Sequence, residues 1–498
     1  MKLRKYIIGG LMVLSAWSCN DFLDLKPISE ETTATAYTTA SQIEAALTGV
    51  YESFQSDAYV WNNIMFQDIR SDNHYAGGDN PSIFEMDLLK VTATNDKVYQ
   101  SWSNLYNAIL KANVVLEKVD AVSDPILTDT RKAQIKGEAL FLRAYHYYNL
   151  VNLFGGVPLV LEASKSAAPE DVNIPRSTIQ NVFAQIITDA SKAAEFLPDT
   201  YGSDESINKA RATSGAANAL AAKAYMQQPS PDFSKALEYI AKVEASEANY
   251  TLIDYTHLFD GNHYNNAESI LEIQYLGGDE GNWGPQMLLP PSISGDTWRK
   301  FVTPSNDLVN AYDEQGDDIR KNSTVLFEQV SWIDEYWGIV EPSDANPNPN
   351  NVAFGYKWKN AMGWGSTDRQ YIFRLGDIVL LKAEALNEMD QLQLAVTEVN
   401  RIRGRVNLDP LTNDQKSSKE VLRNTILKER RLELAQEAQR WDDLVRHNKV
   451  VSVMNDLREI DLRTNQAVNY NMTEDKILLP IPQQELDRNS ALDPNPSN

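Results

Sequence analysis

The sequence predicts a mainly α fold: tetratricopeptide-like helix pairs toward both ends of the chain, separated by a long irregular, loop-rich and aromatic-rich insertion containing a few short strands. Three observations predict it. Apolar residues recur at steps of three and four over residues 98–119, 130–154, 177–197, 375–388, 392–403 and 419–437, the spacing that lines one face of a helix. The Ala-rich stretch 214–226 breaks at Pro229 and Pro231 and helical period resumes over 233–243, which makes a short αα-hairpin. Between 249 and 373 the period is mostly lost, Gly, Pro, Asn and Trp accumulate, and 270–275 (ILEIQY) is the clearest strand.

The elements follow in order from an export signal. Lys2, Arg4 and Lys5 precede an apolar run over 6–17, too short for the ~20 apolar residues of a membrane span. Ala16 and Ser18 lead into Cys19, the only cysteine, as in a bacterial lipoprotein signal whose thiol is acylated and heads the mature chain. Residues 1–18 therefore read as signal peptide, 19–40 as an acidic, then Thr-rich tether, and 41–498 as one domain. That domain divides into a helical scaffold over about 41–248 and 374–457 and the insertion over about 249–373. Residues 42–53 form a short amphipathic helix, whereas 57–87, with its DIRSDNHYAGGDNP run, reads as an exposed loop. The helix at 130–154 stops at Gly155-Gly156 with Pro158 beyond. Residues 440–453 form a last scaffold helix.

Composition narrows the function. A net charge of −23 argues against nucleic acid as a partner and favours neutral over strongly anionic ligands. With its one thiol assigned to lipid, the chain has no disulfide and is held together by packing. Opposite charges at Glu138 with Arg143, and along Glu429, Arg430, Arg431, Glu433, Glu437, Arg440 and Asp443, read as ion-paired helix surface. Trp102 and Trp441 fall inside helical stripes and are assigned to the core.

Seven stretches, in order, carry a resemblance to a known family: CNDFLDLKP at 19–27, EALFLRAYHYYNLVNLFGGVPL at 138–159, TPSNDLVNAYDEQGDDIR at 303–320, RLGDIVLLKAEALN at 374–387, VNRIRGRVNL at 399–408, ILKERRLELAQEAQRWDDLVR at 426–446 and LLPIPQQELDRN at 478–489. Together they make the chain similar to the SusD/RagB family of nutrient-binding outer-membrane lipoproteins. The resemblance implies helix pairs packed on an irregular half and a role without catalysis. Such a protein captures glycan at the cell surface and hands it to a TonB-dependent (SusC-like) outer-membrane transporter. Asp21 and Asp24 look similar to the family's signal for the outer leaflet, so the membrane is met only through the lipid on Cys19.

Glycan binding needs flat aromatic faces for stacking and polar side chains for the hydroxyls, on loops fixed to a rigid scaffold. Two regions offer them. The first holds Trp61, Arg70, Asp72, Asn73, His74 and Tyr75; the second holds Trp283, Trp298, Trp332, Trp337, Trp358 and Trp364. Trp61, Asn73, Tyr75, Trp283, Trp298, Trp332 and Trp337 form the expected ligand-binding set. Trp332 and Trp337 belong to it because they follow the 318–320 segment, where family members can carry stacking residues; Trp358 and Trp364 lead into a helix and stand outside it. No GxSxG, HExxH, P-loop or GxGxxG pattern supports an enzyme, and no cofactor is expected. His257 and His263 share a stretch with Asp254 and Asp260, but the spacing matches neither a helical His pair nor an EF-hand, so a polar loop without metal is expected. Two alternatives remain open at this stage: peptide capture by the same architecture, and a surface scaffold that binds only protein.

Overall fold

The helices start where local chemistry starts them. In the computed structural model, which describes residues 36–163, 166, 168–296, 301–330, 348, 350–461 and 466–495, the first half comprises α1 (Ala40–Tyr51), α2 (Asp96–Lys118), α3 (Asp129–Phe154), α4 (Ile179–Phe196), α5 (Ser214–Gln227) and α6 (Phe233–Glu244). Each follows a Thr, Asn or Asp whose side chain accepts a backbone N–H of the first turn, the donor a helix cannot satisfy internally. At the other end of α3, Gly155 takes φ +74, which stops the helix as predicted. The second half supplies α7 (Leu375–Glu388), α8 (Leu392–Arg405), α9 (Lys419–Leu434) and α10 (Arg440–Arg446).

Consecutive helices from α2 to α6 pack on one another, α7 packs on α8 and α9, and α7 also closes onto α6, so the two helical runs meet. One apolar core joins them, from Ile43 on α1 to Leu492 near the C-terminus. The irregular half adds the helices Asn306–Gln315 and Asp318–Thr324, which the sequence did not predict, and two-stranded antiparallel ribbons: β1 (His74–Ala76) with β3 (Val302–Pro304), β2 (Ser269–Ile273) with β6 (Gln370–Arg374), and β4 (Val325–Gln329) with β5 (Asn351–Gly355). The fold is thus mainly α with an irregular segment, as the sequence predicts. Among the described residues no helix is long and apolar enough to cross a membrane.

Four expectations are corrected. Residues 57–87 are not an exposed loop: Ala58–Asn62 and Met65–Ile69 form wide helical turns, and 58–74 is almost wholly buried. Their polar side chains face the 429–443 charges. Asp72 accepts from Arg440 Nε at 2.7 Å and Nη2 at 2.8 Å, Asp68 accepts the Ala438 N–H at 2.9 Å, and the Arg70 guanidinium lies 4.2 Å over the Trp441 ring. The charge ladder is ion-paired but interior, because a second polar segment covers it where solvent was expected.

Glu138 and Arg143 do not pair, since residues five apart on a helix point to different faces. Glu138 receives Tyr51, Arg131 and Arg211, while Arg143 makes a two-pronged pair with Asp189 at 2.7 and 2.9 Å. The helix expected at 440–453 is two pieces, Arg440–Arg446 and Val450–Asp456, separated at Asn448, whose φ is +52.

One buried acid tests the electrostatics. Glu459, 3% exposed, is pushed up to about 7, chiefly by burial, with the neighbouring Asp307 carboxylate adding to the rise and Arg431 opposing it. Its folded value exceeds its ordinary one, so its contribution to stability is complete below about pH 4.5 and is lost as pH rises toward 7. Glu459→Gln is expected to remove that loss. Between those pH values the wild type should lose about 3 kcal/mol relative to the variant in urea unfolding.

Candidate ligand-binding site

Three loops of the irregular half converge around Thr367. The first follows β2: the N–H of Leu276 bonds to the Glu280 carbonyl at 3.1 Å, closing a turn whose Gly277 and Gly278 take φ +87 and +60. The second, 359–368, meets it backbone to backbone. Gly278 N–H donates to the Gly365 carbonyl at 3.1 Å, and Asn282 and Ser366 exchange bonds at 2.8 and 3.2 Å. A Cβ added at Gly365 would lie 2.7 Å from the Gly278 nitrogen, and one at Gly281 would lie 2.5 Å from the Gly365 Cα, so neither position admits a side chain. The third loop, 254–266, arrives through Tyr264, whose hydroxyl lies 3.3 Å from the Thr367 hydroxyl. Buried Asp368 organises the second loop: it accepts the Lys359 and Asn360 backbone N–H groups at 2.6 and 2.8 Å and the Asn360 amide at 3.0 Å. Burial raises its carboxyl above the ordinary range, and burial lowers Lys359 to about 8.

These loops hold apolar side chains in water. Leu276 is 82% exposed, Met362 62% and Trp364 47%. Met362, Gly363 and Trp364 have φ of +49, +59 and +80, three successive residues in the left-handed region. For a tryptophan that conformation is strained by about 1–3 kcal/mol, and such strain persists only where surrounding structure imposes it. The Gly278–Gly365 contact adjoins the strained residues, and the indole is exposed on the segment that also carries Met362, with Leu276 on the turn bonded to it. The cavity bounded by Tyr59, Tyr145, Phe259, Lys357, Tyr371 and Gln436 measures only about 50 Å³, while larger open clefts of about 940 and 890 Å³ lie between α1 and α2 and beside α9.

The expected residues fall elsewhere or on the margin. Trp61 is 2% exposed, its ring 5.7 Å from Trp283 and 6.4 Å from Phe301 between centroids, so it offers no free face for stacking. Asn73 is fully buried, donating to Asp68 at 3.1 Å and accepting from Arg431 at 2.9 Å; it braces the interior. Tyr75 is half-buried on β1 opposite Thr303. Trp283, half-buried on Trp61, belongs to the first loop and adjoins the platform, because the turns Gly284–Met287 and Met362–Trp364 lie against each other. Trp298, Trp332, Trp337 and Cys19 lie outside the described residues. Trp358 is buried under Gly284, but Trp364, outside the expected set, is the missed residue. Its signal was the MGWGS run facing YLGGDEGN, glycines that let two loops touch and leave the intervening side chain outside.

His257, Asp260 and His263 do come together, with Asp260 2.6 Å from His263 Nδ1. The two imidazoles stack at 3.9 Å with planes 14° apart. Ligand atoms from the three residues lie within 4.8 Å of one another, a grouping that could hold a metal ion, and the Asp260–His263 hydrogen bond braces the third loop.

Gly365→Ala is expected to force the two loops apart. An overpacking cost of about 1–3 kcal/mol falls on the platform. Ligand affinity should drop while far-ultraviolet circular dichroism, set by the helices, is unchanged.

Helix pairs carrying loop-borne apolar side chains in solvent define a mainly α scaffold with an exposed apolar surface. A model described as starch-binding and associating with the outer membrane matches residues 21–226, and the SusD family model matches 267–497. The chain belongs to the SusD/RagB family. It is 28% identical over 522 residues to SusD-like protein P2 of Formosa agariphila, covering 99% of each chain. A laminarin-binding SusD-like protein superposes with a TM-score of 0.74 at 26% identity, over 93% of this chain and 100% of that one. A SusD superfamily protein from Bacteroides vulgatus gives 0.77 at 22% identity, over 93% and 100%, a likeness of fold.

Proposed function

We propose that this protein captures an oligosaccharide or polysaccharide at the cell surface and delivers it to a partner TonB-dependent transporter of the outer membrane. It acts by binding, without turnover, and is tethered by lipid on Cys19 with the platform facing outward. The observation that carries the reading is Trp364, an indole held in solvent on strained backbone beside Met362 and Leu276. A pyranose presents an apolar C–H face that such a ring covers at low entropic cost. Trp283 adjoins this surface, and Tyr75, Trp298, Trp332 and Trp337 remain proposed contributors. The family's description as starch-binding and the laminarin-binding relative support a glycan as the ligand class. The test is titration of the detergent-solubilised full chain with a panel of polysaccharides and peptides by calorimetry. Saturable heat with at least one polysaccharide is expected; binding of peptides alone would overturn the reading.

A further inference from the structure

We infer that the platform selects uncharged glycans, and that Asp279 and Glu280 enforce the choice. This rests on the glycan reading above. Both residues are exposed on the turn that carries Leu276. Asp279 follows Gly278, whose N–H bonds directly to the carbonyl of Gly365, the residue after Trp364. Two carboxylates therefore stand at the edge of the stacking surface.

The cations that could offset them are committed elsewhere. Arg369 donates to Glu272 at 2.6 Å and to Asn265 at 2.5 Å, with its guanidinium 4.4 Å over the Tyr264 ring. Lys357 binds Glu437 at 2.5 Å. Lys359 is folded back 3.6 Å over the Tyr356 ring. His263 faces Asp260, and His257 stacks on His263. Among these described cations around Thr367, Arg369 and Lys357 are paired with carboxylates, and Lys359 is drawn onto the Tyr356 ring and the Ser323 carbonyl at 3.5 Å. A uronate or sulfate brought onto Trp364 would approach two like charges, with the described cations nearby already engaged, inside a chain of net charge −23. Repulsion of a wrong partner is a standard source of specificity, and it costs nothing for a neutral sugar.

The experiment uses the full chain in detergent and four neutral polymers, laminarin, amylopectin, xyloglucan and mannan, each paired with its carboxymethylated form. For any polymer that binds, the carboxymethylated form should bind at least tenfold more weakly at low salt, and the gap should shrink in 0.5 M NaCl. In the double variant Asp279→Asn/Glu280→Gln, the ratio of neutral to carboxymethylated affinity should fall toward one. Equal binding of both forms by the wild type, or an unchanged ratio in the variant, would overturn this inference while leaving the glycan reading intact. Absence of binding by all eight polymers would overturn both.

Discussion

Replacing Glu433 with alanine is expected to destabilise the folded chain by about 3–5 kcal/mol, the cost of leaving buried charge without its partner. Glu433 is fully buried and accepts from Arg374 at 2.6 Å, from Arg320 at 3.3 Å, and from Arg405. Burial alone would raise its carboxyl; the guanidinium groups of Arg405, Arg374 and Arg320 overcome that and hold it well below the usual carboxylate range. Arg374 also reaches Glu268 at 2.9 Å and Glu437 at 2.6 Å, and Arg320 reaches Glu429 at 2.6 Å. The network therefore bolts the irregular half, through Glu268, Arg320 and β6, to helices α8 and α9. Its loss releases the half that carries the platform. Urea unfolding should show a lowered midpoint, whereas Glu117→Ala, which removes the exposed Lys118 pair, should change stability by no more than about 1 kcal/mol. Similar midpoints for the two variants would refute the role assigned to the network.

Trp364→Gly is expected to weaken glycan binding by about 2 kcal/mol, roughly thirtyfold, the cost of losing a central aromatic contact. The same change should stabilise the fold by about 1 kcal/mol, because glycine adopts φ +80 without the Cβ clash a tryptophan suffers there. Opposite signs in the two measurements, polysaccharide titration and thermal unfolding, would show that strain at this residue is kept for binding. Trp364→Phe, which retains a stacking face and the strain, should recover most of the affinity. Unchanged affinity in Trp364→Gly would remove this residue from the site.

Much of the scaffold was legible because it is local. Helical period, the Thr, Asn and Asp caps and the Gly155 stop act over a few residues, and the helices α2 to α6 begin and end within a few positions of the expected ones. The charge ladder was legible as paired, but its partners were not. Glu138 meets Arg211 from 73 residues away and Asp72 meets Arg440 from 368 away, separations no helical spacing encodes. The site was the least legible part. Trp61 lies in a run dense in polar residues, which normally marks surface, yet it is interior because Trp283 and Phe301, more than two hundred positions away, pack on its ring. Trp364 reads in the sequence as leading into a helix, but strand β6 follows it, and it is exposed where two glycine loops touch beside it.

By itself, then, the amino-acid sequence determined the helix pairs, the irregular insertion between them and, through its ordered motifs, the family. Each follows from short-range spacing or from matched stretches. Which polar residues lie inside, which arginine each carboxylate meets, and which of many tryptophans faces water were decided only by the tertiary structure. Burial depends on what packs over a residue, and here what packs over it comes from hundreds of positions away.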